Sequence, residues 1–201
     1  MVWWKWLMGK RLTLTRRMDR KGGKITHHLE DGGQLLGVLT EYKYRASVER
    51  LGKGIRQVVL NTNLDLLRYF ELLLVSFLTG NGDMHLKKFS ILYQSSGEKT
   101  LAPTHDLVAT RLLISEKEDP EEMALTVNGK RNKLSESDFL EAAMKMGLTK
   151  KQAENAIHRI LRKMSTAKVL LQRSFLSDVK KDAFLKLLES RASRLVTKNL
   201  L

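Results

Sequence analysis

The run from Asn63 to Thr79 does most to limit how this chain can fold. It holds Leu64, Leu66, Leu67, Tyr69, Phe70, Leu72, Leu73, Leu74, Val75, Phe77 and Leu78, apolar nearly all the way round a helical turn. A helix with one apolar stripe can lie on a surface, whereas one that is apolar on every side must be surrounded by the rest of its domain. Gly80 is its expected C-terminal stop. A short polar loop follows, Gly80-Asn81-Gly82-Asp83-Met84-His85-Leu86-Lys87-Lys88. Phe89 to Tyr93 then reads as a strand, Gln94 to Gly97 as a turn and the residues around Leu101 as the returning strand. Asp106 comes just past that hairpin. The sequence therefore predicts one carboxylate in a tight loop at the end of a buried helix and a second at the end of a hairpin.

Buried helix, loop with Asp, hairpin, second Asp is similar to the order of parts in the C-lobe of protein kinases, where one Asp orients the substrate hydroxyl and the other holds Mg²⁺. On that likeness Asp83 takes the first role and Asp106 the second. The residues carry a closer resemblance. Gly-Asn-Gly-Asp-Met-His-Leu-Lys from Gly80, Phe-Ser-Ile-Leu from Phe89 and Leu-Ala-Pro-Thr-His-Asp-Leu-Val from Leu101 resemble the HipA-type toxin kinases of bacterial toxin–antitoxin systems. The likeness extends upstream through Thr15 to Arg20 and His28 to Leu36, and downstream through Pro120 to Leu125, so it spans roughly residues 12 to 148. It implies a Ser/Thr protein kinase that uses ATP and Mg²⁺, phosphorylates a protein and works beside a DNA-binding antitoxin. It also implies that backbone groups at Arg16 and Met18 hold adenine, that Asp19 lies beside the ribose, and that His85 sits by the phosphates or braces the loop. Met18 stands where the family usually has Phe, a change that backbone recognition tolerates.

At 201 residues the chain can bury a full core, and residues 1–201 read as a single domain. Within it, 12–34 form the hinge and lobe junction, 63–127 the catalytic and metal loops, and 135–201 a helical C-terminal part. The expected fold class is α+β, mainly helical: a protein-kinase-like C-lobe with a small β-hairpin region and the N-lobe largely absent. There is no cysteine, which excludes disulfides and thiolate metal sites and fits a reducing cytoplasm. The opening Met1 to Arg11 is too short and too interrupted by Lys5 to span a bilayer, so no membrane segment and no signal peptide are expected. The net charge of +14 is uneven: residues 1–61 hold 13 Lys/Arg against 5 Asp/Glu, residues 149–201 hold 13 against 4, and the middle is mildly acidic. Basic ends of this kind suit a solvated face, an acidic partner or nucleic acid.

In chain order, Arg11 to Thr15 alternates as a strand, Lys21-Gly22-Gly23-Lys24 reads as a hairpin turn, and Ile25 to His28 as the return. His27 and His28 would then face opposite ways, which argues against joint metal ligation. Glu30, Asp31 and Gln34 open the next helix, and Ser47 to Val59 forms another. Leu107 to Ser115 is expected to hold the metal loop against the core, Glu116 to Glu122 to form an exposed acidic turn, and Met123 to Val127 to form a strand before a turn at Asn128-Gly129-Lys130. Ser135 with Asp138 opens a helix that ends at Gly147. Thr149 caps the next, whose apolar stripe runs from Ala153 to Met164, and Asp178 to Leu195 closes the fold.

Two features depart from an ordinary kinase. No Gly-rich loop and no strand-borne Lys precede the hinge, which fits either a partial kinase or a split one whose N-lobe comes from a separate partner chain, and the bare first strand and Trp-rich start should expose apolar surface. Five residues after Asp83, where kinases place a metal-binding Asn, stands Lys88. Its ammonium has no lone pair and cannot ligate Mg²⁺. Lys88 either turns outward with one metal lost, supplies the positive charge itself, or marks a site that no longer works. Two further readings stay open: a remnant that binds antitoxin or DNA without catalysis, and a metal-dependent phosphohydrolase built on Asp83, His85, His105 and Asp106.

Overall fold

The computed structural model describes residues 2–7, 10–15, 17–25 and 27–196. Arg16 lies outside them, as do the side chains of the Trp-rich start on which the exposed apolar surface was expected. Strands β1 (Val2–Leu7) and β2 (Lys10–Thr15) pair antiparallel, from Val2 opposite Thr15 to Leu7 opposite Lys10. The short pair β3 (Arg20–Lys21) and β4 (Lys24–Ile25) turns through Gly22 and Gly23, at φ 58° and 79°. Two successive left-handed residues make the hairpin turn that matches strand twist. The return stops at Ile25. His28 belongs instead to β5 (His28–Asp31), which leaves the hairpin to join a different sheet, and His27 precedes that strand.

Asp31 caps α1 (Gly32–Leu35) by accepting from the backbone N–H groups of Gly33 and Gln34, while the Gln34 side chain accepts from Asp31 N–H. Ser47 caps α2 (Val48–Val58) and Asn61 caps α3 (Thr62–Thr79), which ends at Gly80 with φ 69°. Strands β6 (Ser90–Tyr93) and β7 (Lys99–Leu101) complete a three-stranded antiparallel sheet in the order β5-β6-β7. An irregular stretch, 102–135, leads to a helical C-terminal part: α4 (Glu136–Met146), α5 (Lys150–Leu161), α6 (Met164–Gln172) and α7 (Asp178–Ser193). Ser135 and Asp138 form the expected capping box and Gly147 the expected stop, but the helix capped by Thr149 ends at Leu161, so Met164 begins a separate helix. The architecture is the expected mainly helical α+β fold with a small sheet.

The helix from Thr62 is central, as its composition requires. α2, α5 and α7 pack around it, and Leu66, Tyr69, Phe70, Leu73, Leu74 and Phe77 are at most 1% exposed. Each such side chain contributes about 1.5–3 kcal/mol of burial. The one polar tip among them is satisfied, since the Tyr69 hydroxyl donates to Val48 O at 3.0 Å.

Between Leu107 and Val127 one expectation fails and two are met only in part, because an alternating or apolar pattern does not say whether a partner strand exists and a run of acids does not say which of them finds a distant cation. Met123 to Val127 is not a strand. Met123, Leu125 and Val127 are buried, but the segment makes only the isolated bridges Ser47 to Thr126 and Val127 to Lys130. Leu107, Val108, Leu113 and Ile114 are exposed instead of packed, so this segment does not hold the metal loop through apolar contact. The acidic turn is not uniformly solvated either. Glu122 is ion-paired with Arg194 at 2.5 Å and accepts from Leu134 N–H at 3.0 Å. Burial pushes its carboxyl up, but Arg194 and that N–H hold it below the usual range.

One buried carboxylate lacks such support. Asp65, in the first turn of α3, is 1% exposed and neither oxygen makes a well-formed hydrogen bond; the Arg68 guanidinium stands 3.6 Å away. Burial raises its pKa, and Arg68 and the Leu101 backbone offset this only in part. With a folded pKa above the unfolded one, the group's contribution to stability is fully present at low pH and is lost as pH rises through the folded value. Asp65→Asn is therefore expected to raise Tm more at about pH 8 than at about pH 4. A gain that is the same at both would contradict this.

Candidate active site

The loop after α3 is built to present Asp83. Met84, Leu86 and Phe89 are at most 2% exposed and anchor it. Asn81 Oδ1 accepts from Asp83 N–H at 3.1 Å, and Asn81 N–H returns to Ser76 O at 2.9 Å. Thr110 ties the loop to the segment beyond Asp106: its hydroxyl accepts from Gly82 N–H at 2.8 Å and donates to Gly80 O at 3.1 Å. Arg111 adds its own N–H to Gly80 O, with its guanidinium on the carbonyls of Asp119 and Glu121. So the segment following the second carboxylate does hold the loop, but by polar contacts.

A single 3₁₀ turn, Leu86–Lys88, then separates three side chains by direction. With three residues per turn, neighbours point about 120° apart. Leu86 enters the core, Lys87 bonds Asp31 at 2.7 Å, and Lys88 reaches back to both carboxylates. Its Nζ lies 3.3 Å from Asp83 Oδ2 and is paired with Asp106 Oδ2. The turn packs so closely on α1 that a Cβ at Gly32 would stand 2.7 Å from Leu86 O, which only glycine avoids. Asp106 itself has φ 55°, a left-handed conformation that Asp tolerates better than most residues.

Burial works to raise the Asp83 pKa, but hydrogen bonds from Tyr44 and Lys88 hold it below the ordinary carboxylate value. The Tyr44 hydroxyl donates to Asp83 Oδ1 at 2.8 Å, and burial together with Asp83 pushes its own pKa up to about 12. His85 stacks edge-on against Tyr44 with centroids 5.0 Å apart and is 6% exposed. Its Nε2 is 3.8 Å from Asp83 Oδ1, too far for a hydrogen bond, and burial lowers its pKa, so the ring is neutral at neutral pH.

The structure thus joins Asp83, His85, Lys88 and Asp106, and adds Tyr44, which the sequence did not flag. Tyr44 lies in a basic stretch with no motif around it, and only the tertiary fold brings it to Asp83. On the hinge side, Asp19 is 7% exposed and accepts from Arg17 Nε and Nη2 at 2.8 and 2.6 Å, while Met18 is half-buried. Of the phosphohydrolase set, Asp83, His85 and Asp106 meet around Lys88 and not around a shared vacant point, and among the described residues no three of His, Cys, Asp and Glu are placed to hold one metal ion.

Residues 4–168 match the family of the HipA-like C-terminal domain. Y4dM of Sinorhizobium fredii, whose name proposes a kinase, is 31% identical over 145 residues, which cover 72% of this chain and 34% of that protein. HipA of Shewanella oneidensis, solved with HipB and its operator DNA, superposes with a TM-score of 0.81 at 20% identity over 96% of this chain and 51% of that one. The Helicobacter pylori proinflammatory kinase CtkA does so with a TM-score of 0.67 at 18% identity, over 96% and 76%. The chain spans about a third of the length of the first curated relative and about half of the first structural one. No helix among the described residues is long and apolar enough to cross a membrane. On the extent of the family match and the kinase-like fold of its neighbours, the chain belongs to the HipA-like C-terminal domain family.

Proposed function

We propose that this chain is the catalytic C-lobe of a Ser/Thr protein kinase of a toxin–antitoxin system, transferring the γ-phosphate of ATP to a protein hydroxyl. The observation that carries the reading is the meeting of Asp83 and Asp106 on one cation, at the end of a buried helix in a HipA-family fold. In it Asp83 orients the Ser or Thr hydroxyl and takes its proton as the oxygen bonds to phosphorus and ADP leaves. Tyr44 holds Asp83 in place and in the ionised state that this task needs. Asp106, with its side chain 62% exposed, has lone pairs free for Mg²⁺, and that ion would offset the phosphate charge. Arg16 and Met18 would meet adenine and Asp19 the ribose, with Asp19 shared between the sugar and Arg17. His85 braces the loop by the phosphates.

The proposed partners are, by likeness to the relative solved with HipB and operator DNA, an antitoxin and DNA contacted through that complex, in the cytoplasm. The excess of Lys and Arg over 149–201 supports contact with such an acidic partner. A second reading, docking without catalysis, draws on Lys88 at the metal-binding Asn position. Transfer of radiolabelled phosphate from ATP to Ser or Thr of a protein substrate, by the chain alone and with an N-lobe from a relative, separates the two. Transfer in either setting supports the kinase. No transfer in both, with salt-dependent retention on antitoxin–DNA, supports docking alone.

A further inference from the structure

Lys88 resolves one of the three possibilities that its position raised: it is not turned outward. Its side chain is 13% exposed, against 38% for Asp83 and 62% for Asp106, so the ammonium is the inner member of the trio. Two carboxylates that share one cation are what a bridging divalent ion creates, and here the cation is part of the chain. The ammonium has three donors, enough for both carboxylates, and no lone pair for a metal. The 3₁₀ turn starts its side chain on the carboxylate side, with Leu86 in the core and Lys87 on Asp31, and the two ion pairs hold the ammonium there.

We propose that Lys88 is a tethered cation that replaces one divalent ion of the site. It holds Asp83 and Asp106 together before any ligand arrives and leaves room for a single divalent ion, on the outer side of Asp106. A second ion placed between the carboxylates would meet the ammonium head-on. The role of the single ion rests on the kinase reading; the joined carboxylate pair does not.

The test uses the full chain without nucleotide, as wild type, Lys88→Asn and Lys88→Arg, with melting followed in EDTA and in MnCl₂ and bound Mn²⁺ counted by electron paramagnetic resonance. Wild type and Lys88→Arg are expected to gain less in melting temperature from MnCl₂ than Lys88→Asn does, because the tethered cation already joins the carboxylates. Lys88→Asn is expected to melt lower in EDTA, to bind one more Mn²⁺ per chain than wild type, and to gain roughly 5–11 °C at about 100 times the Kd for the metal. Equal Mn²⁺ binding by wild type and Lys88→Asn would overturn the proposal. So would a metal gain in Lys88→Arg as large as that in Lys88→Asn, since the fixed charge would then not be what holds the pair. Should Lys88→Asn not fold even with Mn²⁺, Lys88→Gln replaces it under the same two criteria. A wild type that binds no ATP while Lys88→Asn gains the metal would count against the kinase reading and for this proposal. Normal ATP binding with no metal gain would do the reverse.

Discussion

Asp83→Asn is expected to cut phosphate transfer by roughly 10²–10⁴-fold, the usual worth of a positioned general base, while leaving the fold intact. The substitution keeps the shape and the Oδ1 acceptor that Tyr44 uses, and Lys88 keeps its pairing with Asp106. With the Asp83 side chain 38% exposed, the change in stability is expected to stay within about 1 kcal/mol. The size of the drop separates two roles. A loss near the upper end, with the acid limb of the pH profile abolished, marks Asp83 as the proton acceptor. A loss near the lower end with an unchanged profile marks it as a positioning residue for the hydroxyl. Equal kcat for wild type and Asp83→Asn, in chain that melts normally, would remove Asp83 from the site.

Phe77→Ala is expected to cost about 3–5 kcal/mol of stability, or roughly 6–20 °C in Tm. Phe77 is fully buried one turn before the loop. Its ring meets Phe139 of α4 with centroids 5.0 Å apart, and the guanidiniums of Arg191 and Arg194 lie over it at 5.0 and 5.2 Å. Arg191, itself 4% exposed, donates to Phe77 O, and burial lowers its pKa to about 10. Removing the ring leaves a cavity where three elements join and strips both cations of their aromatic face. Phe77→Leu should recover more than half of the loss, because most of the volume returns. Urea unfolding gives both values, and a cost under about 1 kcal/mol for Phe77→Ala would mean that α3 and α7 are joined elsewhere.

The parts of this fold legible in sequence were those with local chemistry. The helix from Asn63 and its stop at Gly80 follow from an unbroken apolar surface and one left-handed residue. The caps at Ser135 and Thr149 follow from short side chains that reach their own backbone. Asp83 and Asp106 were legible as a pair because their motifs flank a hairpin. What could not be read depends on distant contacts. Tyr44 reaches Asp83 only through tertiary packing, and Glu122 is withdrawn from its acidic turn by Arg194 on the far side of the chain. The direction of Lys88 depended on a 3₁₀ turn that no pattern announces. Leu107 to Ile114 looked like core on hydropathy alone, yet the polar contacts of Thr110 and Arg111 fix that segment and leave its apolar side chains facing water.

The central claim is that Asp83 and Asp106 form a working nucleotide site with Lys88 between them. Calorimetric titration with ATP in MgCl₂ tests it most directly, on the wild-type chain and on Asp106→Ala, each alone and with an N-lobe from a relative. The account predicts Mg²⁺-dependent binding by wild type in at least one setting and its loss in Asp106→Ala. Binding of equal strength by both proteins, or by neither in any setting, would contradict it.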